Sequence, residues 1–174
     1  MADMQTYQPV DRSFFDTTRF SFAVEVELDC SPDQLFTVFE DAHAWTVWAD
    51  ALKKVEWTSP KPYGIGTTRS VHMMGGLVGH EEFVEWEPGK RMAFTFIGAS
   101  KDATEKFLED YRVTDLGDGT CRVQWYMAME TRGFSRHLMF LTRPIMRLAN
   151  RRMFKKFREY TEAHAARQGT AAAA

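Results

Sequence analysis

Cysteine is scarce in this chain of 174 residues, which contains only Cys30 and Cys121. Two cysteines are too few for the disulfide framework of a small secreted domain, although they leave room for one bridge. No stretch reaches the roughly 20 apolar residues of a membrane span. The opening residues, MADMQTYQPVDRSFF, have no apolar core of signal-peptide length. These absences predict a cytoplasmic protein.

Strong net charge and the common catalytic signatures are also missing. The net charge is −2, which argues against a nucleic-acid binder that acts through bulk positive charge. None of the five histidines has a partner at metal-ligand spacing, and no glycine-rich phosphate loop is present. Ser135 and His137 lie outside any GxSxG motif. We therefore expect no nucleic-acid partner, no metal and no cofactor.

Aromatic and flexible apolar residues are abundant instead. Phe, Trp and Tyr make up 14% of the chain, which also contains 10 Met and 5 Trp. Large rings and thioethers suit an irregular or adaptable interior, and they also suit an ordinary core. Their placement along the chain has to decide between a ligand-binding interior and a conventional one.

Hydrophobic alternation and turn residues predict an ordered series of elements. Residues 20–28 alternate with period two, as a strand with one buried face does. Residues 31–33, Ser-Pro-Asp, are a strong helix start, and a second short helix follows with Trp45 and Trp48 as anchors. Further strand-like runs separated by turn residues follow at 53–59, 66–74, 77–87, 90–98, 105–115 and 120–131.

A long helix is predicted at the end of the chain. From about 134 to 167 apolar residues recur at three- and four-residue steps, and Pro144 should kink or divide the helix. One helix cannot cover both faces of such an antiparallel sheet, so the sheet must curl around it and leave a pocket at one end. We expect a flexible arm at 1–18, a single ligand-binding domain at 19–167 and a disordered tail at 168–174.

Several segments resemble a known superfamily. They are VEVELDCSPDQLFTVFEDAHAWTVWADALKKVEW, GIGTTRSV, EEFVEWEPGKRMAFTF and DLGDGTCRVQWYMAME. In their order they are similar to the SRPBCC (START-like, helix-grip) superfamily, and most to its polyketide cyclase/dehydrase and lipid-transport branch. The resemblance covers about 20–165. It implies an α+β helix-grip fold, in which a curved antiparallel sheet of about seven strands wraps a long C-terminal helix, with two short helices between strands 1 and 2.

The last hairpin predicts which residues face the interior. A turn at 117–119 pairs Val113 with Val123 and Tyr111 with Trp125. The inward row, whose members are either core or cavity lining, is then Phe107, Tyr111, Val113, Val123, Trp125, Met127 and Met129.

The turn at Gly75-Gly76 predicts a polar group on the same sheet. A two-residue loop pairs Arg69 with Glu82 and Val71 with His80. If this face is inward, Arg69, His80 and Glu82 are candidate acid/base residues. If it is outward, the ion pair is an exposed bridge of little energetic value.

The next hairpin leaves that choice open. A plain loop at 88–89 pairs Phe83 with Phe94, which places Met92, Phe94 and Phe96 on the face of the sheet opposite to the face that carries Arg69. A bulge at Gly89 would reverse the parity.

The predicted function is the binding of a hydrophobic small molecule, such as a lipid, polyketide or aromatic compound, by a carrier or sensor. The predicted ligand-binding residues are Trp45, Trp48, Val71, Phe94, Phe96, Tyr111, Trp125, Met127, Met129 and Leu141.

Two alternatives remain open. One is a cyclase or dehydratase of polyketide-like substrates, since members of the superfamily share a pocket and not a catalytic signature. The other is an interaction module that uses the basic face of the last helix, with transient contact to an anionic membrane surface. An exposed edge strand would also allow a homodimer.

Overall fold

The secondary structure follows the predicted order and adds two elements at the N-terminus. The computed structural model describes residues 5–7, 10–11, 13–18, 20–101, 104–131 and 135–172. The strands in these ranges are β1 (Gln5–Thr6), β2 (Ser21–Leu28), β3 (Leu52–Trp57), β4 (Thr68–Met73), β5 (Val78–Glu87), β6 (Arg91–Ala99), β7 (Thr104–Gly117) and β8 (Thr120–Thr131). The helices are α1 (Phe14–Thr17), α2 (Pro32–Glu40), α3 (Ala42–Trp48) and α4 (Ser135–Ala172).

The strands form one antiparallel sheet that curls around α4. The strand order is β2-β8-β7-β6-β5-β4-β3, and β1 pairs with one end of β6. The predicted helix-grip fold is therefore confirmed. Two boundaries differ from the prediction, because β1 joins the sheet from within the predicted arm and α4 continues through Ala172, so the predicted tail is helical from 168 to 172. The flexibility of the arm stays a prediction.

Local hydrogen bonds explain where the two short helices begin. The Ser31 hydroxyl accepts from the backbone N–H of Gln34 at 3.2 Å, and the Gln34 side chain accepts from the N–H of Ser31 at 3.0 Å. This capping box, with Pro32 in the first turn, starts α2. The Asp41 carboxylate caps α3 through the N–H of His43 at 2.8 Å.

The C-terminal half of α4 holds the helix against the sheet. Phe157 stacks on Phe39 with ring centroids 5.9 Å apart, and meets Trp48 at 4.9 Å. Phe154 packs on Trp125 at 5.0 Å. These contacts form the centre of the hydrophobic core.

Leu141 is not part of this core, which corrects its prediction as a ligand-binding residue. Leu141, Ile145 and Leu148 are 58%, 69% and 56% exposed. A helix advances about 100° per residue, so these three side chains share one face, nearly opposite the face that carries Phe154 and Phe157. The apolar residues that the sequence pattern assigned to one stripe of the helix therefore belong to two stripes on opposite faces.

Strand register explains which other predictions were right. Tyr111 pairs with Trp125 as predicted. Between β4 and β5, however, the loop has three residues, because Met74 joins the two glycines in a 3-10 turn and the Met73 N–H donates to Leu77 O at 2.7 Å. Arg69 therefore pairs with Glu81 and not with Glu82.

Two irregularities near the turn of the β5–β6 hairpin cancel. Gly89 has a positive φ of 76°, and Glu87 pairs with Arg91 across a three-residue loop. A bulge between Phe83 and Glu85 then restores the predicted pairing of Phe83 with Phe94.

Neither a membrane-crossing helix nor a disulfide occurs in the described part of the chain. No helix there is both long and apolar enough to traverse a bilayer. Cys30 and Cys121 are buried and free. The cytoplasmic location stays a prediction.

Candidate functional site

A buried ion pair lies on the concave face of the sheet. Arg69 on β4 is 1% exposed, and its Nε donates to Oε2 of Glu81 on β5 at 2.5 Å. Burial raises the pKa of Glu81, and the positive charge of Arg69 opposes that rise. A charge pair removed from water gains little net stability but is costly to break, so its retention points to a role beyond packing.

Aromatic rings enclose the Arg69 guanidinium. Its Cζ lies 4.0 Å from the ring centroid of Trp45 and 4.4 Å from that of Phe94. Phe83 and Trp57 follow at 5.1 Å and 5.6 Å. Such contacts stabilise a desolvated cation. Nη1 of Arg69 is nevertheless buried without a hydrogen-bond partner among the described residues.

A second carboxyl faces the same interior from β7. Oε2 of Glu109 accepts from the hydroxyl of Tyr111 at 2.8 Å and from Nε1 of Trp125 at 2.9 Å. Glu109 is only half-buried although it points inward, whereas Tyr111 and Trp125 are buried. Glu109 as a whole residue thus keeps some exposed surface, while its carboxylate is held by two buried neighbours.

Burial sets the ionisation of this second carboxyl. It raises the pKa of Glu109 from 4.5 to about 7, while the hydrogen bonds from Trp125 and Tyr111 lower it. The negative charge of Glu81 adds to the rise, and Arg69 counteracts it. Near neutral pH Glu109 can therefore both accept and release a proton, which is a requirement for acid/base catalysis.

The predicted ligand-binding residues, with one exception, lie inside the fold. Those that are buried in the main core are Trp45, Trp48, Val71, Phe94, Phe96, Tyr111, Trp125 and Met127. Met129 is half-buried against this core, and Leu141 is the exposed exception. Burial places these side chains in the interior, and their role toward a ligand stays a prediction.

The three candidate acid/base residues lie on two different faces of the sheet. Arg69 is in the buried cluster, and the alternative in which His80 and Glu82 face inward with it is wrong. The three-residue loop shifts β5 by one position, so that His80 pairs with Ser70 and Glu82 with Thr68 on the opposite face. Nδ1 of His80 lies 2.9 Å from the Ser70 hydroxyl.

Sequence reasoning missed Glu81 and Glu109. Glu81 could not be identified without the true length of the β4–β5 loop. Glu109 gave a detectable signal, because it lies between Phe107 and Tyr111 in the predicted inward row. A carboxyl at an inward position of an otherwise apolar row is a candidate functional group. Across the described residues, no cluster of His, Cys, Asp and Glu could hold a metal ion.

A family model described as "Polyketide cyclase / dehydrase and lipid transport" matches residues 19–164. The chain belongs to this family. The family, together with the helix-grip fold, fits a domain that binds hydrophobic ligands.

Relatives from mycobacteria cover nearly the whole chain of this family member. An uncharacterised protein of Mycobacterium tuberculosis is 46% identical over 160 residues, which are 92% of this chain and 95% of the relative. A protein of Mycobacterium bovis matches to the same extent.

Solved structures share the fold at low sequence identity. A protein from Thermus thermophilus has a TM-score of 0.67 and 17% identity, and the match covers 83% of this chain and 98% of that one. The Zhui aromatase/cyclase from Streptomyces sp. R1128 has a TM-score of 0.64 and 13% identity, over 86% and 94% of the two chains. A START superfamily protein from Mycobacterium smegmatis has a TM-score of 0.60 and 12% identity, over 85% and 98%.

We predict that the buried pair can be tested with two adjacent glutamates. Glu81→Ala leaves Arg69 buried and uncompensated, so it should lower the free energy of unfolding by about 3–5 kcal/mol. Glu82→Ala, on the other face of the same strand, should cost less than about 1 kcal/mol. Urea denaturation measures both values. Equal losses would contradict the observed register.

We also predict a pH dependence that originates from Glu109. Its proton is bound more tightly in the folded state, where the pKa is about 7, than in the unfolded state, where it is 4.5. Its contribution to stability is therefore complete below pH 4.5 and is lost as the pH rises through about 7. The stability of the wild type relative to Glu109→Gln should fall by about 3 kcal/mol across this window.

A second variant tests the cause of that pH dependence. Tyr111→Phe removes a hydrogen bond that lowers the pKa of Glu109, so the midpoint of the transition should move to higher pH. Carbon-13 NMR of labelled glutamate side chains reads the midpoint directly. A midpoint near the ordinary glutamate value in the wild type would contradict the proposed environment.

Proposed function

We propose that this domain binds a hydrophobic small molecule between the concave face of the sheet and α4, as a carrier or sensor. The observation that carries the proposal is the polar cluster formed by Arg69, Glu81 and Glu109 inside an aromatic interior. Its guanidinium has an unpaired donor among the described residues, and buried donors are costly unless a partner satisfies them. A ligand oxygen would be such a partner.

The way α4 is held supports a space for this ligand. The helix packs tightly through Phe154 and Phe157, whereas on the same side Met146 and Met153 are only half-buried. On the sheet, Glu109 and Met129 are also half-buried. Methionine side chains adapt to ligands of different shapes, so this region is suited to an apolar guest.

In the proposed mechanism, apolar contacts supply the affinity for the ligand and the polar cluster sets its orientation. Apolar surface transferred from water stabilises the complex by about 25 cal/mol per Å2. The polar cluster would fix the orientation, because Nη1 of Arg69 can donate to a carbonyl, phenol or carboxylate oxygen of the ligand. Below pH 7 a protonated Glu109 would leave the cluster neutral, which favours an uncharged oxygen group.

A matched pair of tryptophan substitutions tests ligand binding. Met127 pairs with Glu109 on the inner face of the sheet, and its neighbour Tyr126 faces outward. Met127→Trp should fill the proposed space and weaken binding of the fluorescent probe anilinonaphthalene sulfonate by about tenfold. Tyr126→Trp should leave binding unchanged.

Thermal unfolding of both variants provides the control for folding, because a loosened core also binds this probe. Saturable binding of one probe per chain by the folded wild type is expected. Equal binding by both folded variants, or none by the wild type, would refute a ligand site at this position.

The carboxyl of the half-buried residue Glu109 favours one second candidate, a proton-transfer enzyme of the cyclase or dehydratase type. The Glu109 carboxylate would remove a proton from the carbon next to a substrate carbonyl. The electron pair of the broken C–H bond would form the C=C bond of an enolate, while the π pair of the carbonyl moves to its oxygen, where Arg69 would stabilise the negative charge. Returning the proton from Glu109 would restore the ketone.

Hydrogen exchange tests this candidate without the natural substrate. Benzylacetone, an alkyl ketone that carries a phenyl ring, should exchange its α-protons in D2O faster with the wild type than with Glu109→Gln, by about 100-fold. Proton NMR follows the loss of signal. If both proteins leave the exchange rate at its value in buffer while the probe binds, the enzyme candidate fails and the binding proposal stands.

A further inference from the structure

The outward face of α4 carries an apolar stripe that the core does not use. The stripe consists of Leu141, Ile145 and Leu148, and each is more than half exposed. The spacing of four and three residues keeps the three side chains on one side of the helix. They lie nearly opposite Asn150, which is the first buried residue of α4 after Leu141.

A run of positive charge surrounds this stripe. Between Glu130 and Glu159 the sequence has nine of the chain's 22 Lys and Arg residues and none of its 24 Asp and Glu residues. Arg151 and Arg152 are exposed, lie about 90° and about 15° from the centre of the stripe around the helix, and form no ion pair within the described residues. The surface around the stripe is thus cationic, although the whole chain is slightly acidic.

We propose that this face of α4 docks on the surface of an anionic lipid bilayer. Aliphatic side chains flanked by arginines on one helix face are the pattern of an interfacial helix, which buries its apolar side at the headgroup boundary. The arginines would lie at the level of the lipid phosphates and add an electrostatic attraction. This proposal does not depend on ligand binding, since it concerns the side of α4 that points away from the sheet.

The apolar stripe decides between a membrane and other anionic partners. A nucleic acid would neutralise the arginines but would leave the leucine and isoleucine side chains in water. A second copy of the chain in a symmetric dimer would bring two cationic faces together at the stripe, which is unfavourable. A bilayer satisfies both features at once.

Sedimentation with vesicles tests the docking. Vesicles of phosphatidylcholine with phosphatidylglycerol should bind the full chain at least about tenfold more tightly than phosphatidylcholine alone. Raising the salt from about 0.1 M to 1 M shortens the screening length from about 10 Å to 3 Å and should release most of the bound protein. Equal binding to neutral vesicles, or none to anionic vesicles at low salt, overturns the proposal.

Matched substitutions identify the surface. Ile145→Gln should weaken vesicle binding about tenfold, whereas Ile65→Gln, which removes an isoleucine that is 71% exposed elsewhere, should have no effect. The double variant Arg151→Gln, Arg152→Gln should weaken binding about 20-fold, and Lys53→Gln, an exposed control on β3, should not. The melting temperature should stay unchanged in all of them, because each site is exposed.

Three results would assign the surface to something else. If the Ile65 and Ile145 variants lose binding equally, the stripe is not the docking site. Dimerisation that Ile145→Gln abolishes would identify a second copy as the occupant. Tighter binding to a nucleic-acid duplex than to anionic vesicles, with no effect of Ile145→Gln, would make the charge and not the stripe decisive. Each of these outcomes refutes the membrane proposal.

Discussion

The packing of Phe154 and Phe157 against the aromatic cluster is the contact on which the rest of the structure depends. It holds α4 at one end of the curled sheet, through Trp125 and through the rings delivered by α2 and α3. Because the helix is held there, residues 141–149 can remain largely exposed without loss of the fold. One helix thus has a structural half and a half that is free for another purpose.

The interior combines this aromatic packing with charge. Arg69 is enclosed by rings and paired with Glu81, and Glu109 adds a second carboxyl whose pKa is close to neutral. Purely structural cores rarely include such a group, since apolar residues of similar volume would be at least as stable. The site therefore has the groups needed to orient an oxygen atom of a bound ligand and to exchange a proton. The proposed carrier or sensor would use only the first property, and the proposed enzyme would use both.

Sequence patterns predicted the architecture well because they are local. Alternation, turn residues and the helix start at Ser31 depend on neighbouring residues, and the register of the last hairpin followed from a single turn. The site was harder to predict, since one additional residue in the turn after Met73 moved Glu82 to the outer face and brought Glu81 to Arg69. The prediction for Leu141 was wrong for a different reason. The spacing of apolar residues alone cannot tell which of two apolar stripes on a helix packs against the sheet. The resemblance to the superfamily predicted the fold but not the ligand, because its members share an architecture and a pocket and not one set of binding residues.

The paired irregularities of the β5–β6 hairpin have a consequence for variation within the family. The turn at Gly89 contains one residue more than a minimal hairpin, and Val84 is the matching extra residue in β5. Either one alone would exchange the inner and outer sides of Phe94 and Phe96, while the two together leave these sides unchanged. Homologous chains should therefore gain or lose these two positions jointly, so that a deletion near 84 accompanies a shorter turn near 89.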